Sequence, residues 1–406
     1  MKNKNLILFT HGFPYGKGEQ FLETEINILS LSFDYILIYP ISLEGEKRDI
    51  PKNVEVKYFE RGSKFSIKWL IIRKWKVIFK VFILEFFHTA RKRFYKKKKF
   101  YYLDSLFGKI NDAEKLEKEL GQYDFKRSLV YSYWFGPWGD LLAIINSFGI
   151  GRMHFVTRIH GHDYDIDRRM EGFIPFRKFC MNNTGDVVSV SSYGKNRINS
   201  EFPKFKNIFV SRLGVRDLGD NPYEKNDIFH IVSCSSLIPL KRVHLLIEII
   251  NKLSINKIKW THFGDGPLMN DILERSNKLS VNIIVDLKGF VSNNEIINFY
   301  KMNSIDLFVN VSEHEGIPVS IMEAISFGIP SVGCEIGGIP EIVTKESGIL
   351  LEKDFEIEKA ANLFEDFSNM SKVESVNFRK RTKLFWKKYY NAEENYVEFS
   401  KNFLKS

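Results

Sequence analysis

Apolar runs too short to be helices alternate along this chain with longer amphipathic stretches, the pattern of parallel strands covered by helices. In the first half, Leu6–Thr10, Tyr35–Tyr39, Leu129–Tyr133, Phe155–Thr157, Val187–Val190 and Ile208–Ser211 read as strands. The scheme repeats in Ile228–Ser233, Ile258–Phe263, Asn282–Leu287, Ile305–Val309 and Ser331–Gly333, with helical spacing between them, as in Val243–Leu253 and Pro267–Leu279. Gly214–Asp227 is rich in Gly, Pro, Asn and Asp and reads as a linker. The spacing therefore predicts an α/β chain of two domains, each a parallel sheet covered by helices, residues 1–215 and 222–384. The aromatic residues of Leu384–Leu404 recur at helical intervals and need a surface to cover, so residues 385–406 are expected to return to the first domain.

Composition narrows this picture without changing it. The chain has 406 residues, enough for two cores. No stretch approaches the roughly 20 apolar residues of a membrane span, and the N-terminus lacks a signal-peptide core, so a cytoplasmic location is expected. Cys180, Cys234 and Cys334 are far apart, with no C-x-x-C spacing and no nearby histidine pair, and read as buried hydrophobes rather than a disulfide framework or zinc site. Of the net charge of +10, the segment Lys64–Leu103 alone carries thirteen Lys or Arg against one acid, Glu85, which leaves the remainder slightly acidic.

The densest chemistry lies in Ser312–Pro330. Gly316 and Pro318 stop a helix from running through Glu315, while Pro318 suits a first helical position, so Glu315 belongs to a loop and Glu323 to the following helix. Amides of Val319, Ser320 and Ile321 would then form a positive helix end suited to phosphate oxygens. Glu315 reads as a ligand for a sugar hydroxyl and Glu323 for a ribose diol; the alternative is a capping acid and an exposed helix acid. Lys241 and Arg242 follow another strand and can neutralise a diphosphate, or form a solvated pair. The turns at Phe263–Leu268, with Gly264, and Leu287–Ser292, with Gly289, Phe290 and Val291 offering backbone groups to a base, converge on the same edge, as does Gly337–Glu341.

The pair Glu315 and Glu323 within EHEGIPVSIMEAISFGIPSV, followed by GGIPEIV and preceded by SSLIPLKR, FGDGPL and LKGF, resembles the retaining nucleotide-sugar transferases of glycosyltransferase family 4, as found in bacterial capsule and lipopolysaccharide biosynthesis. The resemblance covers nearly all of the second half. It implies the GT-B fold, two Rossmann-like domains facing a cleft, with a nucleoside diphosphate sugar held by the second domain, contacts through Gly316, Ile317, Pro318, Val319 and Ser320, and catalysis without a metal or other cofactor. Family members commonly carry Arg where this chain has Ser236, and Arg242 is the neighbouring cation that can replace it.

In the first half, the resemblance assigns Gly16 and Gly18 to a loop near the donor phosphates; the dinucleotide fingerprint fails there, because its third glycine position is Phe21. Arg158–Asp163 resembles the family's His-Gly-x-Asp segment, which makes His160, beside Gly161, the catalytic-pocket histidine. Read without the family, His160 is a core histidine bonded to backbone. Tyr131–Trp138 can stack on a sugar or fill the core. If Ile67–Phe87 is helical, Ile71, Trp75, Ile78 and Phe82 share one face and Arg73, Lys76 and Lys80 the opposite one, the pattern of a helix lying on an anionic membrane. Nucleic acid and a plain solvated charge run, chiefly Lys96–Lys99, are the rival readings; no nucleic-acid module is recognisable, so no nucleic acid partner is expected. The sequence thus predicts a glycosyltransferase, peripheral at the inner face of the membrane, building a glycan or lipid-linked glycan. A sugar-nucleotide epimerase and a non-catalytic binding module on the same fold stay open.

Overall fold

The structure, a computed structural model, describes residues 5–16, 18–62, 64–89, 95–125, 127–149, 153–165 and 174–404, with the side chains of all but 85–89, 95–103, 403 and 404. The chain divides into two compact units: residues 1–211 with 396–406, and residues 212–395.

In the first unit β1 (Asn5–Thr10), β2 (Tyr35–Pro40), β3 (Val54–Val56), β4 (Ser128–Ser132), β5 (Phe155–Ile159), β6 (Asp186–Ser189) and β7 (Ile208–Val210) form a parallel sheet in the order β3-β2-β1-β4-β5-β6-β7. Strand alternation sorts the apolar residues by face: Ile7 and Phe9 join one core cluster, Leu6 and Leu8 the other. Helices α1 (Phe21–Leu29), α2 (Ile67–Thr89), α3 (Tyr95–Leu120), α4 (Asp140–Ser147), α5 (Gly161–Tyr164), α6 (Arg177–Asn183) and α7 (Ser192–Glu201) complete this unit's layers. Order reverses between β1 and β4, so the loops leaving their carboxyl ends open a crevice there.

The second unit places β8 (Phe229–Cys234), β9 (Ile258–Phe263), β10 (Ile283–Leu287), β11 (Leu307–Asn310), β12 (Ser331–Cys334) and β13 (Gly348–Leu351) in a second parallel sheet, ordered β10-β9-β8-β11-β12-β13. Its helices are α8 (Val243–Lys252), α9 (Met269–Ser276), α10 (Asn293–Met302), α11 (Val319–Ser326), α12 (Ile339–Ile342), α13 (Ile357–Ser368) and α14 (Lys372–Tyr389). Here the reversal lies between β8 and β11.

The pattern missed β3 and β13, three- and four-residue strands at sheet edges, too short to show a period. It also read the terminal aromatic stretch as continuous, whereas the helix breaks at Tyr390–Asn391, where Asn391 bridges Val215, and resumes as α15 (Ala392–Leu404). Phe399 of α15 packs into the core beside Leu6 and Leu8. The predicted linker is not slack. Buried Asn221 donates to the carbonyls of Tyr300 (2.6 Å) and Asn303 (2.7 Å) and accepts from Arg379 (2.6 Å), tying the segment to the second unit.

Candidate functional site

The β8–β11 crevice is built from two loops. After β8 a 3-10 turn, Pro239–Lys241, delivers Lys241, and the Leu240 carbonyl accepts from the Glu313 amide (2.8 Å), lashing this loop to the one after β11. Lys241 Nζ donates to Glu315 Oε1, an ion pair shielded on both sides, with side chains 20% and 13% exposed. Behind Glu315 lies the glycine turn: Gly338 N donates to the Gly316 carbonyl (2.9 Å), and Gly337, at φ +51°, leaves no space for a Cβ against the Glu315 carbonyl. Glu315 is therefore held from the rear by backbone and from the front by a cation.

Pro318 is the N-cap of α11, one position earlier than expected, with ψ of 123°. Having no side-chain oxygen, it caps nothing, and the first helical bond runs from Met322 N to Pro318 O (3.3 Å). The amides of Val319, Ser320 and Ile321 thus form the positive end of the helix. Ile317 and Pro318 are buried, which fixes this helix start against the unit's core.

Glu323 lies one turn further along α11. Its single described partner is the Asn293 side chain of α10, which donates at 2.7 Å. Burial pushes its carboxyl up to about 7, an effect this one hydrogen bond only partly offsets. Cys234 lies at the end of β8, its thiol pushed up to about 12, chiefly by burial and further by Glu323, with Lys241 opposing.

The remaining loops knit the edge together. Gly264, at φ +139°, donates to the Gly289 carbonyl (2.8 Å), and a Cβ on it would run into the Ser235 carbonyl, so only glycine lets the loops after β8, β9 and β10 close up. Phe290 projects at the rim, 60% exposed, with Val291 half-buried beside it.

Arg242 departs from its predicted role. At φ +48° its guanidinium turns away from the crevice, donating to the carbonyls of Val311 (2.8 Å) and Lys353 (3.2 Å), and so it braces the β11 loop against the loop after β13. The charge absent at Ser236 is not replaced by it; left-handed backbone, invisible in a Lys-Arg dipeptide, decides its direction.

In the first unit, His160 ends β5 and precedes α5. Its backbone amide donates to Asp163 Oδ2 (3.0 Å), while neither ring nitrogen has a hydrogen-bond partner among the described residues. The ring lies 4.2 Å from Trp134 and 4.9 Å from Tyr133, centre to centre. Burial holds its pKa below the ordinary value, so it is a neutral imidazole at pH 7. Gly161 is buried as the first residue of α5. Gly16 and Gly18 are pinned by their carbonyls to Arg48 (2.6 and 2.5 Å), with Gly16 at φ +68° under the loop following β2.

Sequence reading missed the organiser of this loop, Glu19. Its carboxylate accepts from the amides of His11 (3.0 Å), Gly12 (2.7 Å) and Phe13 (2.7 Å) and from the Trp134 indole (2.5 Å). Those loop amides are thereby satisfied within the protein. The one signal available was an acid directly after the glycine pair. Beneath lies a second unforeseen feature, a fully buried pair of Arg158 and Glu25 (2.6 Å) enclosed by Tyr131, Tyr133, Tyr396 and Phe399.

Among the described residues no group of three or more His, Cys, Asp or Glu is placed to hold a metal, and no helix is long and apolar enough to cross a membrane.

Residues 220–384 match the family model described as glycosyl transferases group 1. Over 262 residues, 62% of this chain and 64% of the relative, the sequence is 26% identical to the putative colanic acid biosynthesis glycosyltransferase WcaL of Salmonella typhimurium. Identity to the Escherichia coli protein of the same description is 24%, over 63% of this chain and 66% of that one. The matches thus span less than two thirds of either relative's length. Among solved structures, HepE of Anabaena in complex with UDP superposes with a TM-score of 0.67 at 15% identity, covering 99% of this chain and all of that one. Residues 220–384 thus resemble a group 1 glycosyltransferase domain, within a chain that has the GT-B fold of two Rossmann-like parallel-sheet domains.

Proposed function

We propose that this chain is a retaining glycosyltransferase of family 4 that moves a sugar from a nucleoside diphosphate sugar to a hydroxyl of a lipid-linked glycan in surface polysaccharide synthesis, working at the cytoplasmic face of a membrane and without a metal. The observation that carries this reading is the Lys241–Glu315 pair beside the uncapped start of α11, at the switch point of the second sheet. HepE, which shares this fold and was solved with UDP, supports a nucleotide-containing donor.

In this reaction the bond between the anomeric carbon and the phosphate oxygen breaks as the acceptor oxygen bonds to the same face of that carbon. Negative charge grows on the departing diphosphate, which takes up the acceptor proton. Lys241 and the amides of Val319–Ile321 stabilise that charge. Glu315 accepts from a donor-sugar hydroxyl and Glu323 from the ribose diol.

The test is a thermal-shift panel of UDP, GDP, ADP and their sugars with and without EDTA, followed by transfer assays with lipid-linked glycans and assignment of the product anomer. Glu315→Gln should cut transfer by roughly a hundredfold or more with the fold retained. Full activity in that variant, an inverted product or a divalent-metal requirement would refute this assignment, and an epimer formed without acceptor would identify a different reaction.

A further inference from the structure

Helix α2 is built inside out. A surface helix ordinarily turns cations to water and aromatics to the core. Here small apolar residues, Leu70, Val77 and Val81, are buried, while Trp69 and Phe79 stand 61% and 58% exposed. Several of the helix's cations are engaged by neighbouring groups of the protein instead. Arg73 donates to Glu114 of α3 (2.9 Å), Lys74 lies 3.4 Å above the ring of Phe148, and Lys80 reaches Asn183 (3.3 Å). Of the predicted apolar face, Ile71, Trp75 and Phe82 are exposed and Ile78 half-buried; the predicted basic face is divided, with Arg73 and Lys80 held by Glu114 and Asn183 and Lys76 exposed.

Of the 24 large hydrophobic residues exposed in the described structure, eight lie on this one helix, including both exposed tryptophans. Positions 69, 72, 76, 79 and 83, three or four apart, run as one stripe, with Lys68, Lys76 and Lys80 in or beside it. So concentrated a patch has an occupant. Charge decides which kind. No acid precedes Glu85 on the helix, and Lys64–Leu103 carries +12, so the occupant is anionic. Tryptophans between lysines suit the boundary of headgroups and acyl chains, where an amphipathic ring has its apolar body in chains and its polar edge in water. The cations at 91–93 lie outside the described residues, as do the side chains of Lys96–Lys99.

We propose that the outer face of α2 docks on an anionic bilayer, with Trp69, Ile72, Trp75, Phe79, Phe82 and Ile83 entering the interface and Lys68 and Lys76 on headgroup phosphates. This names the face behind the membrane association inferred above. It is measured without turnover, so it stands or falls separately from sugar transfer.

The full-length chain is sedimented with vesicles of phosphatidylcholine alone and with about one third phosphatidylglycerol, following tryptophan emission. Binding is expected to the anionic vesicles with a blue shift, and to be weak on the neutral ones. Trp69→Ser with Trp75→Ser and Phe79→Ser should lower the partition at least roughly tenfold. Lys68→Gln with Lys76→Gln should lower it about 25-fold, near fivefold per lysine. Circular dichroism and melting of each variant should match the native chain, because the replaced side chains face water. Native-like partition in the aromatic variant overturns the proposal. So does a native dimer that this variant dissolves, which would make the occupant a second copy, or tighter binding to an oligonucleotide that releases the vesicles.

Discussion

Nucleotide affinity should fall by about tenfold for each unit of pH below 7, and Glu323→Gln should abolish that slope. The reason is a mismatch between what the free protein stabilises and what the ligand needs. With burial dominating and only the Asn293 amide opposing, the Glu323 carboxyl titrates at about 7 rather than its ordinary 4.5. A ribose diol donates two hydrogen bonds and requires the ionised carboxylate. Below pH 7 a proton must leave before the ligand is held, so affinity at pH 6 should be about tenfold weaker than at pH 8. If the bound carboxylate returns to its ordinary value, the gap of about 2.5 pH units is worth about 3 kcal/mol, a ceiling of some 300-fold. The same group contributes to folding with the opposite demand. Its folded pKa is raised, so its favourable contribution is full below about pH 4.5 and is lost as pH rises through 7. Glu323→Gln should therefore match the native stability at about pH 4 and exceed it by up to about 3 kcal/mol at pH 8, while binding nucleotide more weakly there. Titration calorimetry with a nucleoside diphosphate sugar, whose esterified phosphates do not titrate in this range, gives the slope, and urea unfolding gives the stability. An identical slope in the glutamine variant, or a flat native profile, refutes the reasoning.

Arg158→Met should cost about 3–5 kcal/mol by leaving the Glu25 carboxylate buried without its cation, and adding Glu25→Leu should recover most of it in urea unfolding; no recovery would show that the loss came from packing alone. Gly337→Ala should destabilise by about 1–3 kcal/mol and lower kcat, since it adds a left-handed strain and drives a methyl toward the Glu315 carbonyl. Gly149→Ala, at φ +84° but facing open space away from the site, is the control, with a loss near 1 kcal/mol and little change in kcat. Equal effects of the two would mean that the backing turn does not position Glu315.

The fold was legible in the chain because buried parallel strands must be apolar on both faces and Gly-Pro punctuation must mark the turns between them. That constraint is local, and it located eleven of the strands, the loop position of Glu315 and the helical position of Glu323. The motifs were legible for the same reason: Gly264 and Gly337 stand where backbone meets backbone too closely for any side chain. Direction was not legible. Whether Arg242 faces a phosphate or a carbonyl depends on a left-handed φ, and whether Arg73 of α2 faces a headgroup or a protein carboxylate depends on which partner α3 offers. Glu19 became an organiser only when β4 brought Trp134 beside the loop after β1, and Arg158 and Glu25 became a pair only when β5 and α1 met, more than 130 residues apart in the chain. Period and propensity act over a few residues and are written in the order of the amino acids. The aim of a side chain is set by whatever long-range packing leaves for it to touch, and that belongs to the folded molecule.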